Sequence, residues 1–191
     1  MSKLETNQVD PATGTTLTLG TSGDTITIPS GVTIANSGTA TGFGGANTPA
    51  FQGYYGAASY QTVSDNTATK LTIDTEEFDT SSAFDTSTSR FTIPSGQAGK
   101  YFIFGKFFTY SSNDTGRQGK IYIYKNGSAT SPTDNQYRLT QDSIVGGALY
   151  TSYIYDASVG DYFEAYGNFN VNSGTDNRLY KASFGGYKLI T

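Results

Sequence analysis

The chain has 191 residues, a formal net charge of −4 and an isoelectric point near 4.7. With 12 Lys and Arg against 16 Asp and Glu, it lacks the basic surplus through which nucleic-acid binders neutralise phosphates and release counterions. It contains no Cys and no His, which excludes disulfides, thiolate metal sites and histidine-based acid–base or triad chemistry, and no apolar run is long enough to span a membrane.

Aromatic residues make up 14% of the chain, with 15 Tyr and 12 Phe. Together with Thr, Val and Ile they favour pleated, half-buried surfaces. No apolar spacing of helical period is sustained, so the expected class is all-β. The first residues, Met1-Ser2-Lys3-Leu4-Glu5-Thr6-Asn7-Gln8, lack the apolar run of a signal peptide. Assembly in a host cytoplasm is therefore expected, with any extracellular role reached by lysis. Residues 1–15 read as a polar leader in which Leu4 and Val9 are the only sizeable aliphatic side chains. A free terminus would fray; these two residues are the expected contacts of an attachment peptide that orders on another protein of the particle.

Residues 16–49 are expected to form a Thr/Gly-rich stalk and joint. Thr16-Leu17-Thr18-Leu19, Thr25-Ile26-Thr27-Ile28 and Val32-Thr33-Ile34 alternate with period two, separated by turn signals at Gly20–Asp24 and Pro29–Gly31. Leu17, Leu19, Ile26, Ile28, Val32 and Ile34 then share apolar faces. Six such side chains cannot offset the ordering of residues 16–42, at roughly 1–2 kcal/mol of backbone entropy each. Pooled by three intertwined copies they would make one core; the competing reading is a flexible linker. Gly42–Pro49 is the expected joint.

From residue 50 to 191 strand-like runs recur at sandwich-like spacing. They are expected at 51–60, 68–74, 89–93, 99–110, 118–125, 136–142, 145–155, 161–170 and 178–190. In Tyr101-Phe102-Ile103-Phe104 successive side chains point to opposite faces, yet all four are large and apolar or aromatic. One face can fill a sandwich; the other must be covered too.

An ordered set of motifs carries a family resemblance. Phe51-Gln52-Gly53-Tyr54 comes first, then Phe84–Pro94 with Phe91-Thr92-Ile93-Pro94, and then Gly99-Lys100-Tyr101-Phe102-Ile103-Phe104. Ile121–Gly127, Val159–Glu164 and the closing Ser183-Phe184-Gly185-Gly186-Tyr187 follow. Residues 50–191 thus resemble the globular domain of the complement component-one-q and tumour-necrosis-factor superfamily. A Gln97-Ala98 insertion before Gly99, and Ile103 where Phe is usual, depart from the pattern. The resemblance implies a ten-stranded jelly roll packed as a threefold trimer, with Tyr101, Phe102, Ile103, Phe104, Phe184 and Tyr187 as its expected trimer core. Residues 14–20 and 23–31 resemble, more loosely, the β-prism segments of bacteriophage fibres and spikes.

Chemistry-bearing clusters are few. Asp74, Glu76, Glu77, Asp79 and Asp85 include carboxylate pairs of the kind glycoside hydrolysis uses, but a solvated Ser/Thr-rich connection is the simpler reading. No catalytic residue and no metal ligand is assigned. No cofactor is expected; calcium is the one alternative, because some relatives of the head bind it near the trimer apex. Asn113-Asp114, Asp134-Asn135 and Asp176-Asn177 would supply its oxygen ligands, though each is also an ordinary turn. Gly146-Gly147 and Gly185-Gly186 lack the following helix that a phosphate loop needs. Tyr122 and Tyr124 on one strand face, and Tyr153 and Tyr155 on another, are the candidate recognition residues for host glycan or protein; the alternative is that they line the sandwich or the trimer seam.

The expected function is a homotrimeric bacteriophage surface protein (fibre, spike or capsid decoration) displaying its head for host adhesion. A structural capsid cement without a receptor is the alternative, and an envelope-glycan hydrolase ranks third. Expected partners are further copies of the chain, other virion proteins through the leader, and a host surface glycan or protein.

Overall fold

A computed structural model describes residues 9–37, 47–111, 116–130, 135–138, 147–172 and 177–189. The chain divides into two compact units, Met1–Phe43 and Gly44–Thr191.

In the first unit, residues 9–37 contain turns but no strand. The Thr21 N–H donates to Asp24 Oδ2 at 2.7 Å, the Asp24 N–H returns to the Thr21 carbonyl at 3.0 Å, and the Val32 N–H reaches the Pro29 carbonyl at 3.2 Å. These are the turns marked by Gly20–Asp24 and Pro29–Gly31. The short strands expected between them do not pair within one chain, because no neighbouring backbone meets their N–H and C=O groups. Leu17, Leu19, Ile26, Ile28, Val32 and Ile34 are all exposed, Leu19 at 61%. Val9 is exposed as well. Leu4 and most of the joint lie outside the described residues.

The second unit is an all-β sandwich of two antiparallel sheets with no helix among the described residues. Its strands are β1 (Ala50–Tyr54), β2 (Gln61–Thr62), β3 (Thr69–Lys70), β4 (Thr75–Asp79), β5 (Phe84–Asp85), β6 (Arg90–Thr92) and β7 (Gly99–Tyr110). They continue with β8 (Gly116–Lys125), β9 (Ser128–Ala129), β10 (Asn135–Arg138), β11 (Ala148–Ala157), β12 (Tyr162–Val171) and β13 (Arg178–Lys188). The first sheet runs β11-β7-β13-β1-β4, with β2 also on β13. The second runs β10-β8-β12-β6-β5, with β3 on β12 and β9 on β8. The strand count exceeds ten because β2, β3, β5 and β9 are two-residue pairings.

Alternation builds the core. Along β7 the buried residues are Tyr101, Ile103, Gly105, Phe107 and Thr109, with half-buried Phe102, Phe104, Phe108 and Tyr110 between them. Ile121 and Ile123 of β8, Phe163 and Phe169 of β12, and Phe184 of β13 join them in the same core. Phe51 stacks on Phe91 at 4.1 Å and on Phe84 at 5.1 Å, and meets Phe184 edge-on. Each such ring contributes about 1.5–3 kcal/mol when fully buried. Between β8 and β9, Asn126 and Gly127 have φ of 53° and 78°, the paired positive values of a two-residue hairpin turn matching the sheet twist.

β4 corrects the expectation for its stretch. Glu76 and Glu77 lie in a strand at the edge of the first sheet rather than in a loop. The run 68–74, expected as a strand, pairs only at Thr69–Lys70.

Candidate functional site

Two surfaces stand out, one on the outer side of each sheet. On the first sheet many outward residues of β7, β13 and β11 are aromatic or aliphatic, interrupted by Lys100 and Lys106 of β7 and by Ser152 and Asp156 of β11. Phe102 lies 5.4 Å from Tyr187 and 6.2 Å from Phe104, which stacks on Tyr150 at 6.5 Å. Phe108 meets Tyr180 at 5.5 Å, and Tyr60 stacks on Tyr110 at 5.0 Å. Ile154, opposite Phe102 in the ladder, is 50% exposed. Phe78, opposite Gln52, extends the same side onto β4 and is also exposed. The register thus joins an apolar face across the sheet.

The six residues expected at the trimer core separate. Phe102, Phe104 and Tyr187 lie on this outer face, half-buried by their ring neighbours. Tyr101, Ile103 and Phe184 do not: all three are fully enclosed in the sandwich. Period two requires this split, since Tyr101 and Ile103 project opposite to Phe102 and Phe104. Tyr101 donates its O–H to the Gln97 carbonyl at 2.6 Å, and burial pushes its phenol up to about 12. The Gln97-Ala98 insertion therefore serves the core, because the Gln97 carbonyl satisfies the one polar atom of a buried ring.

The outer side of the second sheet is polar. Tyr124 stacks on Tyr166 at 3.8 Å, and Tyr122 sits edge-on to Tyr124. Next to them Glu164, although it points outward, is only 2% exposed. Its Oε1 accepts from Lys70 Nζ at 3.0 Å and from Arg90 Nε and Nη2 at 3.0 and 2.9 Å. The Arg90 guanidinium lies 3.8 Å above the Tyr162 ring. Burial, and then the Glu164 carboxylate, raise the Tyr166 phenol. Tyr162 and Glu164 fall in the Val159–Glu164 motif, which gives them no site role, and Tyr166 and Lys70 carry no motif. The signal for them is β12's alternation, Tyr162-x-Glu164-x-Tyr166, set in register with Tyr122 and Tyr124.

The second candidate tyrosine pair divides. Tyr153 is 44% exposed, whereas Tyr155 is 7% exposed, packs 4.9 Å from Phe163 and shares a 2.6 Å hydrogen bond with Thr130 Oγ1. Tyr155 is a core residue, because its ring turns inward onto the Phe163 side chain of β12. Of the acidic stretch, Asp74 accepts the Gly56 N–H, Asp79 accepts the Ser81, Ala83 and Phe84 N–H groups, and Asp85 binds Ser87 and Thr88. These three carboxylates hold turns. Asp161 likewise accepts from Lys125 and Asn126 and from the Ser158 N–H, at 2.8 Å each, which holds it down at about 2. Asn113-Asp114, Asp134 and Asp176 lie outside the described residues. Asn177 is buried and donates to Asp65 Oδ1 at 3.0 Å. Among the described residues no cluster of acidic side chains is placed to hold a metal ion.

No protein-family model matches the sequence, and no curated protein matches it. The fold does have a solved counterpart. The globular domain of zebrafish complement 1qA protein is similar over 74% of this chain and 98% of its own, at 15% identity and a TM-score of 0.52. At that identity the likeness defines the fold: the chain is an all-β sandwich of the jelly-roll type seen in that domain.

Proposed function

We propose that the chain is a homotrimeric bacteriophage surface protein whose jelly-roll head is displayed for host adhesion. The apolar outer face of the first sheet carries this reading. Phe102, Phe104, Tyr150, Ile154 and Tyr187 make one apolar patch and Phe108 with Tyr180 a second, with Lys106 between them on β7, and contiguous apolar patches on a soluble chain commonly mark an interface. Association of three copies through that face covers it and matches the threefold packing implied by the motif resemblance. The exposed aliphatic residues of 16–34 support association as well, since a single copy leaves them in water. The fibre-like segments 14–20 and 23–31 support a place on a virion, with the leader as anchor and the polar sheet turned outward.

Light scattering on the full chain tests the assembly: the expected mass is that of three copies. Phe102→Glu with Ile154→Lys is expected to give a folded monomer with an unchanged far-ultraviolet signal. A monomeric wild-type chain would overturn the proposal. Cryo-microscopy of the particle tests the role, with a projecting head expected; heads lying flat across several shell subunits would favour cement.

A further inference from the structure

The polar sheet holds a cleft of about 550 Å³ beside the Glu164 cluster, within the roughly 300–1,000 Å³ common to small-molecule sites. The cleft is lined by Lys70, Thr72 and Asp74 from one segment and by Thr86, Ser87 and Arg90 from another. Both cations are held from below by Glu164, at 3.0 and 2.9 Å. A buried carboxylate in that position fixes two long side chains that would otherwise sweep the solvent. Ordering them in advance lowers the entropy cost of a later ligand contact.

The donors are not used up by this pairing. Arg90 commits Nε and one Nη2 hydrogen to Glu164, which leaves Nη1 of its five-donor fork beyond the pair. Lys70 commits one of three ammonium hydrogens. Asp74 uses Oδ1 for Gly56 and Thr75, and its second oxygen is a further acceptor. Asp85 takes the Ser87 and Thr88 hydroxyl protons, turning the lone pairs of those hydroxyls toward other donors.

The formal charges do not sum to a positive value: Lys70 and Arg90 stand against Asp74, Glu164 beneath them and Asp85 on the Ser87–Thr88 turn. An anionic ligand would find no net positive field, and an apolar one would have to strip water from charged walls. A neutral ligand with closely spaced hydroxyls meets both donors and acceptors in the same lining. Arg90 covers the Tyr162 ring, and apart from Leu71 the residues that line the cleft are polar, so a ligand is met there by hydrogen-bonding groups.

We infer that this cleft binds a neutral, hydroxyl-rich saccharide. The inference rests on reading the head as an adhesion module, and it names the ligand class. The test is retention of the full chain on an array of neutral and anionic oligosaccharides, followed by calorimetry with the best neutral one. Retention on neutral saccharides is expected, and Thr72→Val with Thr86→Val should weaken it about tenfold, as two lost hydrogen bonds would, with the unfolding temperature unchanged. Arg90→Lys keeps the charge over Glu164 but removes the fork, and should weaken binding too. Lys106→Gln, on the other sheet, should have no effect. Retention only on anionic probes, no retention at all, or retention indifferent to the cleft variants would overturn the assignment. A parallel assay on a panel of bacterial cells, before and after periodate cleavage of surface diols, separates the two readings. Adhesion that survives periodate overturns the saccharide site and leaves the adhesion role standing. Array retention without adhesion to any cell does the reverse.

Discussion

Phe104 lies across Gly185 so closely that a Cβ on the glycine would stand 2.5 Å from the ring's Cζ. The neighbouring Gly186 is confined from the other side, where its Cβ would meet Ile103 Cδ1 at 2.6 Å and the Phe102 carbonyl oxygen at 2.7 Å. The paired glycines of the closing strand are therefore packing positions: one lets an outward ring lie flat on the first sheet, and the other admits an inward side chain and a neighbouring strand.

Gly186→Ala is expected to cost about 1–3 kcal/mol by overpacking, because backbone stands in its way. Gly185→Ala should cost less stability but lift Phe104 off the sheet and weaken self-association. Denaturant midpoints and light scattering on both variants check the contrast. Equal stability losses would contradict it.

Tyr101 supplies an alkaline signature. Its phenol is pushed up from 10.0 to about 12, so the folded state resists ionisation that the unfolded state accepts. Its contribution is fully present below pH 10.0 and is lost as pH rises through about 12. Tyr101→Phe should lose about 1 kcal/mol at neutral pH with its bond to the Gln97 carbonyl, and its stability should fall less steeply above pH 10.0. Unfolding curves across that range measure both effects.

Asp161 gives the acid counterpart. It is lowered from 3.8 to about 2, chiefly by the Lys125 ammonium and then by the Asn126 amide. A depressed carboxylate stabilises the fold above its unfolded value, so this contribution is present above pH 3.8 and disappears as pH falls through about 2. Asp161→Asn should cost about 1 kcal/mol at pH 7, where the side chain is partly solvated, and progressively less as pH falls from 3.8 through about 2. A constant gap between the two proteins across that range would refute the assignment.

Glu164→Gln removes the charge that Lys70 and Arg90 share. Each cation is about one-third exposed, so solvent absorbs part of the loss, and about 1–3 kcal/mol is expected rather than the larger cost of stranding a fully buried charge. Thermal unfolding at low and high salt is the measurement, with the wild-type advantage largely retained in salt because Glu164 itself is enclosed.

Much of this fold is legible in the residues. The strand expected at 99–110 is β7, Gly99–Tyr110, because a run dominated by aromatic and β-branched residues leaves few alternatives. Alternation also shows that Tyr101-Phe102-Ile103-Phe104 has two apolar sides, but not which side a single chain encloses. That depends on the second sheet, and so the residues alone group Tyr101, Ile103 and Phe184 with the outer face. Tyr155 is legible as a strand residue that either faces a ligand or lines the sandwich, and its contacts with Phe163 and Thr130 place it in the core. Glu164 is the least readable. Its partners Lys70 and Arg90 lie 94 and 74 positions away, and no local pattern anticipates a pairing at that range. The segments at 16–34 show the opposite limit: their alternation is plain, yet alternation names a face without supplying the neighbour that a strand needs.

In β8 and β12 the outward Tyr122, Tyr124, Tyr162 and Tyr166 alternate with the enclosed Ile121, Ile123, Phe163 and Ala165. Surface chemistry and solidity are thus written on alternate letters of the same strands. The outward set can be exchanged without altering interior volume, and the other sheet, which would set copy number, is untouched by the exchange. A library varied at those tyrosine positions would sample new ligands on an unchanged scaffold, each variant displayed as many times as the assembly has copies.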